Sequence, residues 1–569
     1  MFNFYDFEVF KQDWLVVIIN PQTREKTVIV NDPEKLREYH QAHKAEIWIG
    51  YNSRSYDTYI LKAILLGMNP KDVNDYIITQ GNKGWSYSSL FQQIQLYDYD
   101  CMSKFFGLKQ LEGFMGNDMR ESTVPFDIDR KLTDAEIAET IEYCTHDVEQ
   151  TMEVFVRTKE TYNAHVAMLK AFDLPIHNIS KTQAQLSALA LGCQKKEHDD
   201  EWEYSFVPTL RIKRYANVID WFDMQREARN YSSRLVIDVC GVPHQFGWGG
   251  LHGAPEKPLH RKGLLIHVDV ASFYPSIMIR YDMLSRNVKD KSVYKRIYDT
   301  RIALKKAGKK KEQAPYKIIL NSTFGICKDK HNAAFDPRRA NEVCVNGQLL
   351  LLDLLEHLEG HCELIQSNTD GLIIQIPDTD EAFDMVDDIC AEWEERTGMN
   401  LGFDVISEIY QKDVNNYLFI TEDGSIERKG AWVKELNDLD NDLPIVNKAL
   451  VAYMAEGVPP AFTIRDCNEL KQFQKIVKVS SKYECAWHNY HNPEGKTFRV
   501  FASKNQAKDT YIGKVKIKDG KRVIEKFANT PECCFIENGE INGKTVPVNL
   551  DKSWYVRLAE NRLKQFGVN

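Results

Sequence analysis

The sequence predicts a multidomain protein of mixed α/β and α+β class, and three observations predict it. Its 569 residues suffice for three to four domains, and a 43% hydrophobic share can fill their cores. The first 160 or so residues set short apolar strands beside helix-periodic stretches. From about 260 to 420, a strand, two helices and a strand–turn–strand segment follow one another. The remaining properties narrow the class. No run of 18 apolar residues exists, so no transmembrane span is expected. Met1–Asp6 lacks the basic-then-apolar layout of a signal peptide. Twelve cysteines are scattered without a CxxC pair, which argues for reduced thiols in a cytoplasm and against zinc. A net charge of −9 argues weakly against nucleic acid, but metal-binding carboxylates add negative charge while phosphate contacts need only a local basic groove.

In the first segment, Asn3–Val9 alternates as a strand, which puts Asp6 and Glu8 on one face. Such a pair is either a solvated face or a cation site. Ile47–Gly50 reads as a strand, and a polar turn follows. Asp57 then opens a helix carrying Tyr59, Ile60, Ile64 and Leu65; alone it would pass as a helix N-terminal acid. Ile137–Val156 has helical periodicity, so Tyr143 and Asp147, four apart, share a face. Asp6, Glu8, Asp57 and Asp147 together make a hard-oxygen cage suited to two Mg²⁺ ions. Two such ions stabilise the attacking and leaving oxygens of a phosphodiester displacement.

Residues 160–235 show helical patterns (His165–Phe172, Ile219–Ala228) and no chemistry. Phe246–Ala254 holds four glycines in nine residues, either a plain turn or a loop whose backbone closely approaches something. Gly263–His267 reads as a buried strand leading to Asp269, and Pro275–Ile279 as the start of a helix. A buried aspartate is costly unless its charge is offset, by a divalent metal or by a turn or cap. Tyr294–Ala307 is helical, with Arg301 and Lys305 four apart. A loop over Gly308–Pro315 follows, its Lys309, Lys310 and Lys311 reading as solvated charge. The next helix carries Lys317, Asn321 and Phe324 on one face and closes at Gly325. Arg301, Lys305 and Lys317 make either a solvated basic pair of helices or a triphosphate clamp. Cys362–Ser367 and Leu372–Ile376 read as strands flanking a tight turn, Asn368–Gly371, with Asp370 at the tip.

These segments, taken in order, resemble a known family. Asp6-x-Glu8, Asn52-x3-Tyr56-Asp57 and Tyr143-x3-Asp147 resemble the three proofreading motifs of DEDD 3′–5′ exonucleases in their tyrosine variant. Gly107–Leu111 resembles a helix start seen between the second and third motifs. Phe246–Gly250 resembles the Tyr-x-Gly-Gly loop of family-B DNA polymerases, with phenylalanine for tyrosine. Asp269-x2-Ser272-Phe273-Tyr274-Pro275-Ser276 is similar to their motif A, and Lys317-x3-Asn321-Ser322-x-Phe324-Gly325 to motif B, with Phe324 for a tyrosine. Ser367–Gly371 is similar to motif C, with Asn368 for its first aspartate. The resemblance covers residues 1 to about 430 and is greatest to phage-encoded members.

The resemblance implies an RNase H-like exonuclease over 1–165 and a connecting segment over 166–245. A right-hand polymerase would follow: palm over 246–290 and 331–425, fingers over 291–330, thumb over 426–569. It implies that Asn52 and Tyr56 contact a single-stranded 3′ end and that Tyr143 orients the attacking water. Gly249 and Gly250 would contact template phosphates. Asp269, Asp370 and the Val270 carbonyl would hold two Mg²⁺, with Mn²⁺ able to substitute. Lys317, Arg301 and Lys305, with Asn321 between them, would bind the nucleotide. Tyr274 would lie under the sugar and exclude a 2′-hydroxyl. Tyr417 falls in the family's Lys-x-Tyr position for primer DNA; Asn415 replaces the lysine, and Lys429 is the candidate substitute. The implied partners are primer–template DNA and deoxynucleoside triphosphates, with a helicase, primase or single-strand-binding protein as candidates besides. The implied state is a monomer in the cytoplasm, the host's if phage-encoded, without a membrane. Asp269 to Lys317 is 48 residues and Lys317 to Asp370 is 53, which leaves little room for the insertions of the protein-primed branch. Two alternatives stand beside this reading: a nuclease-dominated repair protein, suggested by Asn368, and a catalytically silent replisome scaffold.

Overall fold

The computed structural model describes residues 1–102 and 106–568. They fall into two units: Met1–Lys181, Leu436–Ile445 and Cys467–Tyr555 form the first, and Thr182–Glu435, Val446–Asp466 and Val556–Asn569 the second. Among the described residues no helix is long and apolar enough to cross a membrane.

The first unit begins with a mixed sheet of β1 (Phe2–Val9), β2 (Trp14–Asn20), β3 (Glu25–Val30), β4 (Ile47–Gly50) and β5 (Tyr97–Asp100) in the order β3-β2-β1-β4-β5. β1 is central, so both its faces need cover. Tyr5, Phe7 and Val9 pack into a core with Trp48, Ile60, Leu61 and Ile64. Phe2 and Phe4 on the opposite face meet Phe155 edge-on. The helices around this sheet are α1 (Pro33–His43), α2 (Asp57–Leu65), α3 (Pro70–Asn74), α4 (Leu108–Met115), α5 (Asp134–Arg157) and α6 (Lys159–Ala171). α5 starts where the Thr133 hydroxyl accepts from the Glu136 N–H and the Glu136 carboxylate accepts from the Thr133 N–H, a reciprocal cap.

The second unit opens with α7 (Gln183–Ala190) and α8 (Ala216–Ala228). It is built on a nine-stranded antiparallel sheet: β6 (Leu235–Val239), β7 (Val242–Phe246), β8 (His252–Gly253), β9 (Leu259–Val270), β10 (Glu363–Asn368), β11 (Gly371–Gln375), β12 (Leu401–Asp413), β13 (Asn416–Thr421) and β14 (Ile426–Lys429). The order β14-β13-β12-β9-β11-β10-β8-β7-β6 places β9 and β11 side by side in the middle. Between β9 and β10 run α9 (Phe273–Arg280), α10 (Ser292–Lys306), α11 (Lys310–Lys328) and the buried α12 (Pro337–Leu358).

Two sequence expectations change here. Most of Gly308–Pro315 is helix rather than loop: α11 begins at Lys310 and takes Pro315 inside. Pro315 lies six residues into the helix, where its missing N–H frees only one carbonyl near an exposed first turn. Gly325 is likewise interior, three residues before the end, because Ile326 and Cys327 still have a core to enter.

The tail, read from sequence as one segment over 426–569, is divided between the units. Its middle belongs to the first unit and contains two three-stranded sheets. One is β15 (Lys475–Lys478), β17 (Thr497–Ala502) and β20 (Cys534–Ile536); the other is β16 (Cys485–Trp487), β18 (Gly513–Lys518) and β19 (Lys521–Lys526).

Candidate active sites

The first unit gathers the four acids read from the sequence. β4 ends at Gly50 and pairs with β1 only as far as Phe4, so the Phe7 N–H on that side has no strand partner. It donates instead to Asp57 Oδ1 at 3.2 Å, which fixes the first residue of α2 beside β1. From the α5 side, Cys144 donates its Sγ to the Asp6 carbonyl at 3.4 Å. Asp6, Glu8 and Cys144 have ligand atoms within 4.8 Å of one another, and so do Glu112, His146 and Asp147.

The electrostatics are those of a carboxylate cluster short of positive charge. Burial, then repulsion from Asp57, Glu8 and Asp147, holds Asp6 well above the carboxylate range. Glu8 is raised likewise by burial and by Asp147 and Asp57. Burial pushes Asp57 up to about 8 against the Phe7 hydrogen bond, and Asp147 to about 6 against the pull of Lys109. Groups that repel each other this strongly ionise together only with a cation among them, and their hard oxygens fit Mg²⁺. Cys144 is no competitor, since burial raises its thiol. Tyr143 is raised by burial, Asp147, Glu8 and Asp6, so its hydroxyl keeps its proton and can donate to a bound water or phosphate oxygen.

One cation is already present, and the sequence reading had not singled it out. Lys109 Nζ lies 2.5 Å from Asp147 Oδ1 and 3.1 Å from Glu112 Oε1, with the Tyr143 ring 4.8 Å away. Burial alone would lower its ammonium, but Asp147 and Glu112 hold it above the ordinary lysine value. A lysine on a short helix ordinarily points to solvent; the clue was Glu112, an acid on the same face three residues on.

The second unit brings Asp269 and Asp370 together. Asp269 is paired across the β9–β11 ladder with Gly371, and the Val270 N–H donates to the Asp370 carbonyl at 2.7 Å. Burial and then Asp370 raise the Asp269 carboxyl to about 6, with Asp404 adding to the repulsion and Lys305 opposing it. Asp404 was not read from the sequence: it lies two residues beyond Gly402, the β12 partner of Asp269. Gly371 keeps the turn open, since a Cβ there would come within 3.0 Å of the Val268 carbonyl and 3.5 Å of Asp269 Oδ1. Asn368 donates its side-chain amide to the Val414 carbonyl at 2.9 Å, a bond an aspartate could not make.

The nucleotide candidates line the same region of this unit. Arg301 Nη1 donates to Ser272 Oγ at 2.8 Å, directly after the Asp269 strand. Lys305, Lys317 and Asn321 are exposed on α10 and α11, free to meet a ligand. Tyr274 packs on Phe324 with ring centroids 4.8 Å apart. Lys429 is the register partner of Tyr417 with its Nζ 6.0 Å from the ring, and its charge opposes the desolvation that raises Asp370.

Of the glycines, Gly250 abuts the Asn368–Gly371 turn: a Cβ there would meet Thr369 Oγ1 at 2.5 Å, whereas Gly249 faces open space. The Thr369 N–H also donates to the Leu251 carbonyl at 2.7 Å. Asn52 is exposed in the left-handed region, with its N–H on Asp100. Tyr56 turns its hydroxyl to Asn74 Oδ1 at 2.7 Å and packs against the core.

No protein-family model and no curated protein matches the chain. Among solved structures, the family B DNA polymerase from the hyperthermophilic archaeon Pyrobaculum calidifontis is similar over 100% of this chain and 78% of that one, at 13% identity and a TM-score of 0.41. At that score the likeness carries no weight for function, which rests on the two sites.

Proposed function

We propose that this protein is a template-directed DNA polymerase of the family-B type with a 3′–5′ proofreading exonuclease. The carrying observation is a pair of separate acid centres of different build in one chain. One is a four-carboxylate cluster with a protonated tyrosine and a half-buried lysine. The other is a two-aspartate turn beside a hairpin of cationic helices.

Divalent ions, held by Asp6, Glu8, Asp57 and Asp147 in one centre and by Asp269, Asp370 and the Val270 carbonyl in the other, would supply charge neutralisation and an activated oxygen nucleophile. The chain's own groups do the rest. Lys317, Arg301 and Lys305 neutralise the triphosphate, with Arg301 steadied by Ser272. Tyr274, braced on Phe324, forms a wall where a 2′-hydroxyl would need space. Tyr417 and Lys429 receive the primer strand near Asp370, and Asn52 receives a frayed 3′ end near the first centre. Tyr143 donates a hydrogen bond to the attacking water. The short intervals around Lys317 are filled by α9 to α12 and β10, which favours a nucleic-acid 3′-hydroxyl as primer. Asn368 has a structural partner of its own, so it does not favour a weakened polymerase.

The test uses a labelled primer–template with Mg²⁺, with and without nucleotides. The parent protein should extend and degrade it. Asp370→Ala should lose extension only, and Asp6→Ala degradation only. Extension surviving Asp370→Ala, or degradation surviving Asp6→Ala, would refute the corresponding site. A parent without extension would favour the nuclease reading, and one with neither activity the scaffold.

A further inference from the structure

Arg499 is 0% exposed, although most charged side chains need water or a counter-ion. Among the described residues its hydrogen bonds reach no carboxylate. Its Nη1 donates to the carbonyls of Glu537 and Gly539 at 3.3 and 2.6 Å. Its Nη2 reaches the carbonyls of Glu112, Gly113 and Asn117 at 3.5, 3.2 and 2.8 Å. Burial lowers its guanidinium to about 10, well inside the charged range at neutral pH.

The three carbonyls reached by Nη2 belong to the C-terminal end of α4 and the turn after it. The last carbonyls of a helix have no partner inside it and carry its negative dipole end. In α4 the turn itself returns the Asn117 and Gly116 N–H groups to the Glu112 and Gly113 carbonyls at 3.0 and 3.1 Å, and Arg499 adds a charged second donor to both. Here the 467–555 segment supplies partners for the rest as well. Lys471 Nζ donates to the Met115 carbonyl at 2.7 Å, the Ile541 N–H to Gly116 at 2.9 Å, and Gln474 Nε2 to Phe114 at 3.2 Å. Gly113 is bare because a Cβ there would meet Ile476 Cδ1 at 2.7 Å. α4 has eight residues, too few to be stable alone. It is the helix that carries Lys109 to Asp147.

We propose that the 467–555 segment, through Arg499 and Lys471, is the positioning element of the nuclease centre: it clamps the C-terminal end of α4 so that Lys109 stays on Asp147. The inference rests on the nuclease reading of that centre. It makes an activity whose acids all lie before residue 150 depend on an arginine some 350 residues later.

The test is a double-mutant cycle on full-length protein, with degradation of a labelled single strand as the readout. Lys109→Met should lower kcat about 10- to 100-fold. Arg499→Met should lower kcat roughly tenfold with KM unchanged, and the double variant should be no worse than Lys109→Met alone. Arg499→Lys should recover part of the loss. Amide hydrogen exchange across 108–115 should quicken in Arg499→Met, while primer extension stays at the parent level. If Arg499→Met does not fold, Lys471→Met carries the same cycle and the same exchange measurement. Unaltered kcat and exchange, or additive losses in the double variant, overturn the proposal. A parent that does not degrade, or degrades through Asp6→Ala, overturns the nuclease reading and this inference with it.

Discussion

At the scale of single residues, three positions give sharp tests. Gly250→Ala puts a methyl group into Thr369, the neighbour of Asp370. Extension should fall about 10- to 100-fold, because small displacements of a reacting geometry are that costly. Degradation of a single strand should not change; a parallel loss of both would mean a general folding defect. Asn368→Asp installs the aspartate of the motif this turn resembles but sets a carboxylate against the Val414 carbonyl. It should cost on the order of 1–3 kcal/mol in a denaturant melt, with no gain in extension. Tyr274→Ala removes the ring braced on Phe324 and should let ribonucleotides into the product, read as alkali-labile sites. That the acids come together was legible in the sequence from their types, order and place on strands and helices. Lys109, Asp404 and Arg499 were not. Each is a charged residue whose meaning depends on what the fold sets beside it, Asp147 for Lys109, Asp269 for Asp404 and the carbonyls after α4 for Arg499, and those neighbours are distant in sequence. Gly250 was legible as a close approach, but Thr369 as the thing approached was not.

At the scale of elements, the two acid centres predict an unusual dependence on pH. Asp147 and Asp269 are raised to about 6 and Asp57 to about 8, so without metal the folded state holds protons that the unfolded state has released. Stability then falls as pH rises from near 4 toward 8. A metal-free sample should melt at a higher temperature at pH 5.5 than at pH 8. Added Mg²⁺ should raise the melting temperature more at pH 8, where the carboxylates it needs are ionised. A Mg²⁺ effect that is larger at pH 5.5 would contradict the cage. The strands at 3–9, 47–50 and 263–267 and the helices at 137–156 and 294–307 were legible from their periodicity, but α12 was not, because it is buried on nearly every side and shows no polar face. The ends of α11 were not: a proline and a glycine read locally as punctuation, while Ile319, Leu320, Ile326 and Cys327 bury the helix across both. Packing of the apolar stripe outweighed the local signals.

At the scale of the whole molecule, the order of the two acid centres along the chain could be read directly, and the assignment of the tail could not. Residues 467–555 offer mainly strand patterns, a turn and scattered charge, and nothing in them names the unit they join. That membership is a matter of long-range pairing, such as the Met119 N–H on the Asn538 carbonyl at 2.8 Å. Its consequence concerns the making of the protein. The chain passes between the two units five times, so the first cannot be completed in the order in which it is synthesised. While the ribosome is still adding the second unit, the Phe114 and Met115 carbonyls of α4 lack Gln474 and Lys471, and no arginine braces the turn that follows. Contacts that span nearly 390 residues are slow to form, and a nascent first unit must wait for them. A chain released before Arg499 should therefore carry all four acids of the first centre and yet be digested by a pulse of protease through 106–120. The finished protein should resist the same pulse.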